Sequence, residues 1–130
     1  MADDTFFKEK YSEITQIPPP DDLVNGWNTT AAILVSGSGD ILRGTLLMKA
    51  SDGGFVLATQ TGIETAGELA VLCNDLIGLE EGVKAKARGY FYAEILSSRI
   101  ILPYETEADD HAALIEAIRV PLRKHGLMLQ

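Results

Sequence analysis

Cys73, His111 and His125 are the side chains best suited to nucleophilic or acid–base chemistry, and their placing does not assemble a site. Cys73 ends the apolar run "ELAVLC" (68 to 73), where a small sulfur side chain serves as a core residue. A nucleophilic thiol needs a general base beside it, and the chain has only 2 histidines to offer. His111 opens and His125 closes a C-terminal helical pattern, positions that suit caps and solvent better than catalysis. The expectation is a buried, dispensable Cys73, no catalytic residue and no enzyme.

The glycines of "VSGSGDILRGTLLM" (35 to 48) raise a second chemistry, the cradling of a phosphate. Such a loop must open directly into a helix, whose free N–H groups point at the anion. Here Gly44 and Thr45 interrupt any helix, and no Lys-Ser or Lys-Thr pair follows the glycines. The stretch Gly37-Ser38-Gly39-Asp40 is instead expected to be a hairpin turn, with glycine supplying positive φ. The acidic pairs Asp3-Asp4, Asp21-Asp22, Glu80-Glu81 and Asp109-Asp110 lack the alternating spacing of a calcium loop. Caps, turns and a solvated surface account for them, so neither a metal nor a cofactor is expected.

The elements that would position any site are mostly strands. "TTAAILVS" (29 to 36), "ILRGTLLMK" (41 to 49), "FVLAT" (55 to 59) and the uninterrupted run at 68 to 73 are strand patterns. The clearest is "VKAKARGYFY" (83 to 92), in which Val83, Ala85, Ala87, Gly89 and Phe91 alternate with Lys84, Lys86, Arg88, Tyr90 and Tyr92. Period two buries one face and leaves the other basic and aromatic. Lys84, Lys86 and Arg88 then form a solvated strand face, the simpler reading, or a docking patch for an acidic surface or for a neighbouring subunit. A short helical turn is expected over 93 to 99. Leu114, Ile115, Ile118 and Leu122 fall at helical spacing behind Asp109 or Asp110 as cap. Pro121 is expected to kink or divide that helix, Gly126 to stop it, and 127 to 129 to return as a final strand. The fold class is therefore mainly β with small α content (α+β).

Residues 1 to 29 read as a flexible N-terminal arm and linker, and residues 30 to 130 as the β-rich domain. Phe6, Phe7, Tyr11, Ile14 and Ile17 are scattered among charges, and Pro18, Pro19 and Pro20 impose a polyproline II spacer. Asn25-Gly26 is a turn signal inside the linker. At 130 residues, with 46% hydrophobic residues, one domain can bury a core without disulfides, which a single cysteine excludes within the chain. The acidic opening Met1-Ala2-Asp3-Asp4 gives no signal-peptide pattern, and no apolar run is long enough to span a bilayer. A net charge of −8 argues against nucleic-acid binding through phosphate neutralisation. Neither nucleic acid nor membrane is an expected partner.

The order of the pieces carries a resemblance. "ILRGTLLMKASDGGFVLAT" is a strand bearing "RG", a Gly-rich turn and a strand; "GELAVLCNDL" follows; "VKAKARGYFYAEIL" bears a second "RG"; a helix closes into "LRKHGLML". Over roughly residues 30 to 130 this order resembles the lambda-type bacteriophage head decoration (capsid-stabilising) proteins. The resemblance implies a β-clip-like body and a homotrimer on the outer surface of the expanded capsid, made in the bacterial host cytoplasm and carried on the virion. It also implies that the major capsid protein is the partner and that an arm such as Phe6 to Pro20 orders on the shell. Two other classes stay open at this point: a small β-fold enzyme, since fold alone does not fix function, and a phage tail or baseplate adaptor module.

Overall fold

A computed structural model describes residues 23–130. The arm residues Phe6, Phe7, Tyr11, Ile14, Ile17, Pro18, Pro19 and Pro20 lie outside the described residues. Among the described residues eight strands and two helices follow in order: β1 (Val24–Val35), β2 (Gly39–Ile41), β3 (Leu46–Lys49), β4 (Phe55–Leu57), α1 (Gln60–Thr65), β5 (Leu69–Leu72), β6 (Leu76–Leu79), β7 (Ala85–Ile95), α2 (His111–Lys124) and β8 (Leu127–Leu129). The class is mainly β with a small helical share, as the patterning implies.

The main sheet is 6-stranded, in the order β1-β4-β3-β5-β7-β8, and β1 also pairs with β7. That extra pairing bends β1, β4, β3, β5 and β7 into a ring. The ring is barely closed on one side, because parallel β4 meets β1 only at Val35↔Phe55. Antiparallel β7 holds β1 along its length, from Val24↔Ile95 to Val35↔Ala85.

Two apolar clusters occupy opposite faces of this curled sheet. Ile33, Val35, Leu47, Phe55, Ala70, Leu72 and Ala87 point into the ring, with Ile41 and Leu76 of a small β2-β6 ribbon closing over them. Leu46, Leu69, Val71 and Tyr90 point the other way, under Ile63 of α1, Ile115, Ile118 and Leu122 of α2, and Leu127 and Leu129 of β8. β5 is buried at all four positions because each alternate side chain has a cluster of its own. That is why its apolar run has no polar break.

The structure corrects several boundaries. Leu23 to Asn28, read as linker, belong to the folded body: Leu23 and Val24 are buried, and the Leu96 N–H donates to the Leu23 carbonyl. Asn25-Gly26 is a bulge inside β1, with Gly26 at φ +84, rather than a linker turn. Gly37 to Asp40 is not a hairpin turn, since β1 does not pair with β2; the loop carries the chain to the separate β2-β6 ribbon. The run 41 to 49 is broken at Leu42–Thr45, where the Thr45 hydroxyl and N–H both bond the Leu42 carbonyl. β7 continues through Ile95, because β8 pairs with Ala93–Ile95, so a turn follows only at 97 to 99. Pro121 leaves α2 undivided; it lies in the last turn, where one missing N–H costs a single bond.

The period-two reading of β7 also needs amending. Val83 lies outside the strand and is exposed, while Tyr90, expected outward, is buried. Between Thr29↔Tyr92 and Thr30↔Tyr90, β7 carries one residue more than β1, and that residue is Phe91. The bulge reverses the parity of the strand, so Ala87 and Ala93 serve opposite clusters. Tyr90 shares a parity with Lys86 and Arg88 but sits nearer the helices, which cover it.

Candidate functional site

An open part of the fold is the edge of β1 that faces away from β7. From Asn28 to Leu34 only Ile33 is buried. Between Asn28 and Leu34 no strand of the described residues pairs with that edge, and the first to do so is β4 at the Val35↔Phe55 bridge. A bare edge of this length is a template for pairing with another chain.

A groove of about 600 Å³ runs beside this edge, with Ile33, Phe55, Ala87 and Phe91 as its apolar floor. Phe55 and Phe91 meet edge to face with ring centroids 5.7 Å apart, an arrangement that fixes both rings. Past Glu68 and Phe91 the groove continues into a second hollow of about 440 Å³ that reaches Lys124 and His125. Its walls come from β1, β3, β4, β5, β7 and the end of α2, so no local stretch of sequence announces it.

The three basic residues singled out from the sequence are all exposed but have different surroundings. Lys84 Nζ lies 2.8 Å from Asp52 Oδ2 and ties the β3–β4 turn to the start of β7. That lysine hydrogen bond, with the Gly54 N–H second, holds the Asp52 carboxyl below its ordinary range. Arg88 donates to the Thr30 hydroxyl at 3.0 Å and so staples β7 to β1. Lys86 lines the groove, where Lys49 and Glu68 stand 3.7 Å apart. Of the trio, Lys86 alone lines the groove, and Lys84 and Arg88 brace the fold.

Cys73 is half-buried rather than fully buried, and packs against the helix-side cluster while its N–H donates to the Arg88 carbonyl. His111 is not a simple surface cap. Its Nδ1 meets Glu105 Oε1 and its Nε2 meets the Ser97 carbonyl at 2.7 Å. The Ser97 carbonyl first, and Glu105 second, raise its pKa above the ordinary histidine value against the opposing effect of burial. Both ring nitrogens are therefore committed to holding the 97–105 loop on α2. His125 caps the C-terminus of α2 and lines the far end of the groove. Among the described residues no group of three or more His, Cys, Asp and Glu gathers as a metal site.

The groove and the bare edge were missed in the sequence. The signal present was the aromatic pair Phe55 and Phe91, one in each of two strand patterns, but their contact depends on ring closure. No protein-family model matches the chain, and no curated protein matches it either.

Proposed function

We propose that this chain is a bacteriophage or prophage head decoration protein, which binds the outside of the expanded capsid as a homotrimer and stabilises it. The observation that carries the reading is the order of motifs, which maps onto one hydrogen-bonded unit. The segment bearing the first "RG" leads into β3, β5 pairs with β3, β7 bears the second "RG", and α2 closes into β8 beside β7. Both glycines sit where a side chain has no easy place. Gly44 has φ +99, and a Cβ there would lie 3.1 Å from the Arg99 carbonyl oxygen. A Cβ on Gly89 would lie 3.1 Å from both Ala70 Cβ and Ile33 Cδ1. The motifs that carry the resemblance are thus parts of a scaffold.

A scaffold with open edges and exposed large apolar side chains works through contacts. Trp27, Ile77, Val83, Tyr92 and Val120 are each more than half exposed. A trimeric clamp brings further attachment points at high effective concentration once the first has bound, so weak contacts with the major capsid protein add up to tight attachment. No helix among the described residues is long and apolar enough to cross a membrane.

The test is co-sedimentation with shells assembled from a phage major capsid protein of the same genome, before and after expansion. Binding to expanded shells only, raised shell stability, and loss of attachment when residues 1–22 are removed are the expected results. Equal binding to unexpanded shells, or none to either, overturns the reading. Unchanged attachment after truncation overturns the role of Phe6 to Pro20 alone.

A further inference from the structure

We infer that the groove beside β1 receives the β2-β6 ribbon of a second copy of this chain, an inference that rests on the trimer reading above. The ribbon carries Ile77, which at 68% exposure is the most exposed of the large apolar side chains described. Strand alternation explains it: Leu76 points into the ring cluster, so Ile77 points out. Around this knob stand Asp40, Asp75, Glu80 and Glu81, all exposed. Asp40 accepts from the Gly78 N–H at 2.9 Å, and Asp75 from the Arg43 N–H at 2.7 Å, which braces both ends of β6. The ribbon is an apolar point in an acidic setting, on a chain already at −8.

The groove has the opposite character. Its floor is Ile33, Phe55, Ala87 and Phe91, and its rim carries Lys49 and Lys86 against the single carboxylate Glu68. Lys49 and Glu68 offset each other, so Lys86 gives the rim its net sign, and Lys124 extends it beyond Phe91. A copy approaching with its ribbon places Ile77 over the aromatic floor and Glu80–Glu81 beside Lys86. Like charges elsewhere on the two bodies disfavour most other approaches.

Knob and groove differ, so the contact is heterologous, and each copy gives one and receives one. Glu81 lies in the short turn between β6 and β7, and Lys86 is the second residue of β7, so the two surfaces adjoin along the chain. Adjoining surfaces close a small ring, whereas opposed ones propagate a filament.

Full-length protein carrying Lys86→Glu, the pair Glu80→Lys with Glu81→Lys, or all three together tests this by sedimentation equilibrium, with circular dichroism to check folding. Lys86→Glu and the glutamate pair should each weaken association at least tenfold, and the triple variant should recover much of the loss. Ile77→Ser should weaken association without a charge effect. A photoreactive side chain introduced at Leu34 should cross-link to residues 75–82 of another copy. A monomeric wild type, additive losses in the triple variant, or cross-links confined to residues 1–22 overturn the inference. A ring held by this contact that ignores expanded shells refutes the decoration reading and leaves the interface standing. Shell binding by a trimer indifferent to the charge exchange does the reverse.

Discussion

Deprotonating His111 should loosen the junction between the 97–105 loop and the start of α2. The ring faces an acceptor at each nitrogen, Glu105 Oε1 at Nδ1 and the Ser97 carbonyl at Nε2. A neutral imidazole has one N–H, so only the imidazolium satisfies both. Burial opposes the charge, and so does the positive end of the helix dipole, because His111 is the first residue of α2. The two acceptors win, and the pKa is raised. The stability this group contributes is therefore fully present below the unfolded histidine value of about 6.5 and is lost as pH rises through the higher folded value.

A charge-assisted hydrogen bond is worth about 1.5–3 kcal/mol when well shielded. Here the two side chains are 34% and 29% exposed, so solvent screening reduces the net contribution to about 1 kcal/mol. For a domain of this size that is a shift of roughly 3–5 °C in melting temperature. The assay is thermal unfolding of wild type and His111→Gln from pH 5 to pH 9, with the histidine ring proton followed by NMR. The gap between the two proteins should be widest at the acid end and shrink as His111 titrates. A gap independent of pH, or a His111 that titrates below the ordinary value, refutes the reasoning.

Three substitutions probe the scaffold by chemical denaturation. Gly44→Ala should destabilise by about 1–3 kcal/mol, because alanine is strained at φ +99 and the Arg99 carbonyl stands in the way; an unchanged midpoint would count against that account of the first "RG". Leu122→Ala, at a position with 0% exposure beneath α2, should cost about 2–5 kcal/mol. Cys73→Ala should cost about 1 kcal/mol or less and leave self-association unchanged, since the side chain is only half-buried at the edge of its cluster.

What the sequence revealed was what depends on near neighbours. The helix α2 was legible because its stripe, its Asp110 cap and the following Gly126, at φ +86, all lie within one stretch. β5 was legible because burial on both faces leaves a continuous apolar run. The start of β1 was not: Leu23 and Val24 are ordinary apolar residues whose burial is decided by Ile95 and Leu96, far along the chain. Asn25-Gly26 gives the same local signal whether it ends a linker or makes a bulge. The buried Tyr90 was hidden for a similar reason, since its cover comes from the helix-side cluster. The β2-β6 ribbon pairs segments separated by four other elements, and β2 is too short for a pattern. The groove required ring closure, so Lys86, Phe91 and His125 stood out in advance only as separate features and not as its members.

Salt should separate the two electrostatic effects that act on self-association. Copies carrying −8 each repel over their whole surfaces, whereas Lys86 meets Glu80–Glu81 only at the contact. At about 10 mM salt the screening length is about 30 Å, so the whole-body repulsion is felt and dominates. Near 0.15 M it is about 8 Å, which removes most of the long-range repulsion while the close pairs persist. Toward 1 M, at about 3 Å, the close pairs fade as well, and what remains is the burial of Ile77 against Phe55 and Phe91. Association measured by sedimentation should therefore rise, pass through a maximum at intermediate salt, and fall to a plateau above zero. Lys86→Glu should abolish the fall and leave a simple rise with salt. A wild type whose association only rises with salt, as expected of Lys86→Glu, would show that no close charge pair contributes, and the ribbon could not then be what fills the groove.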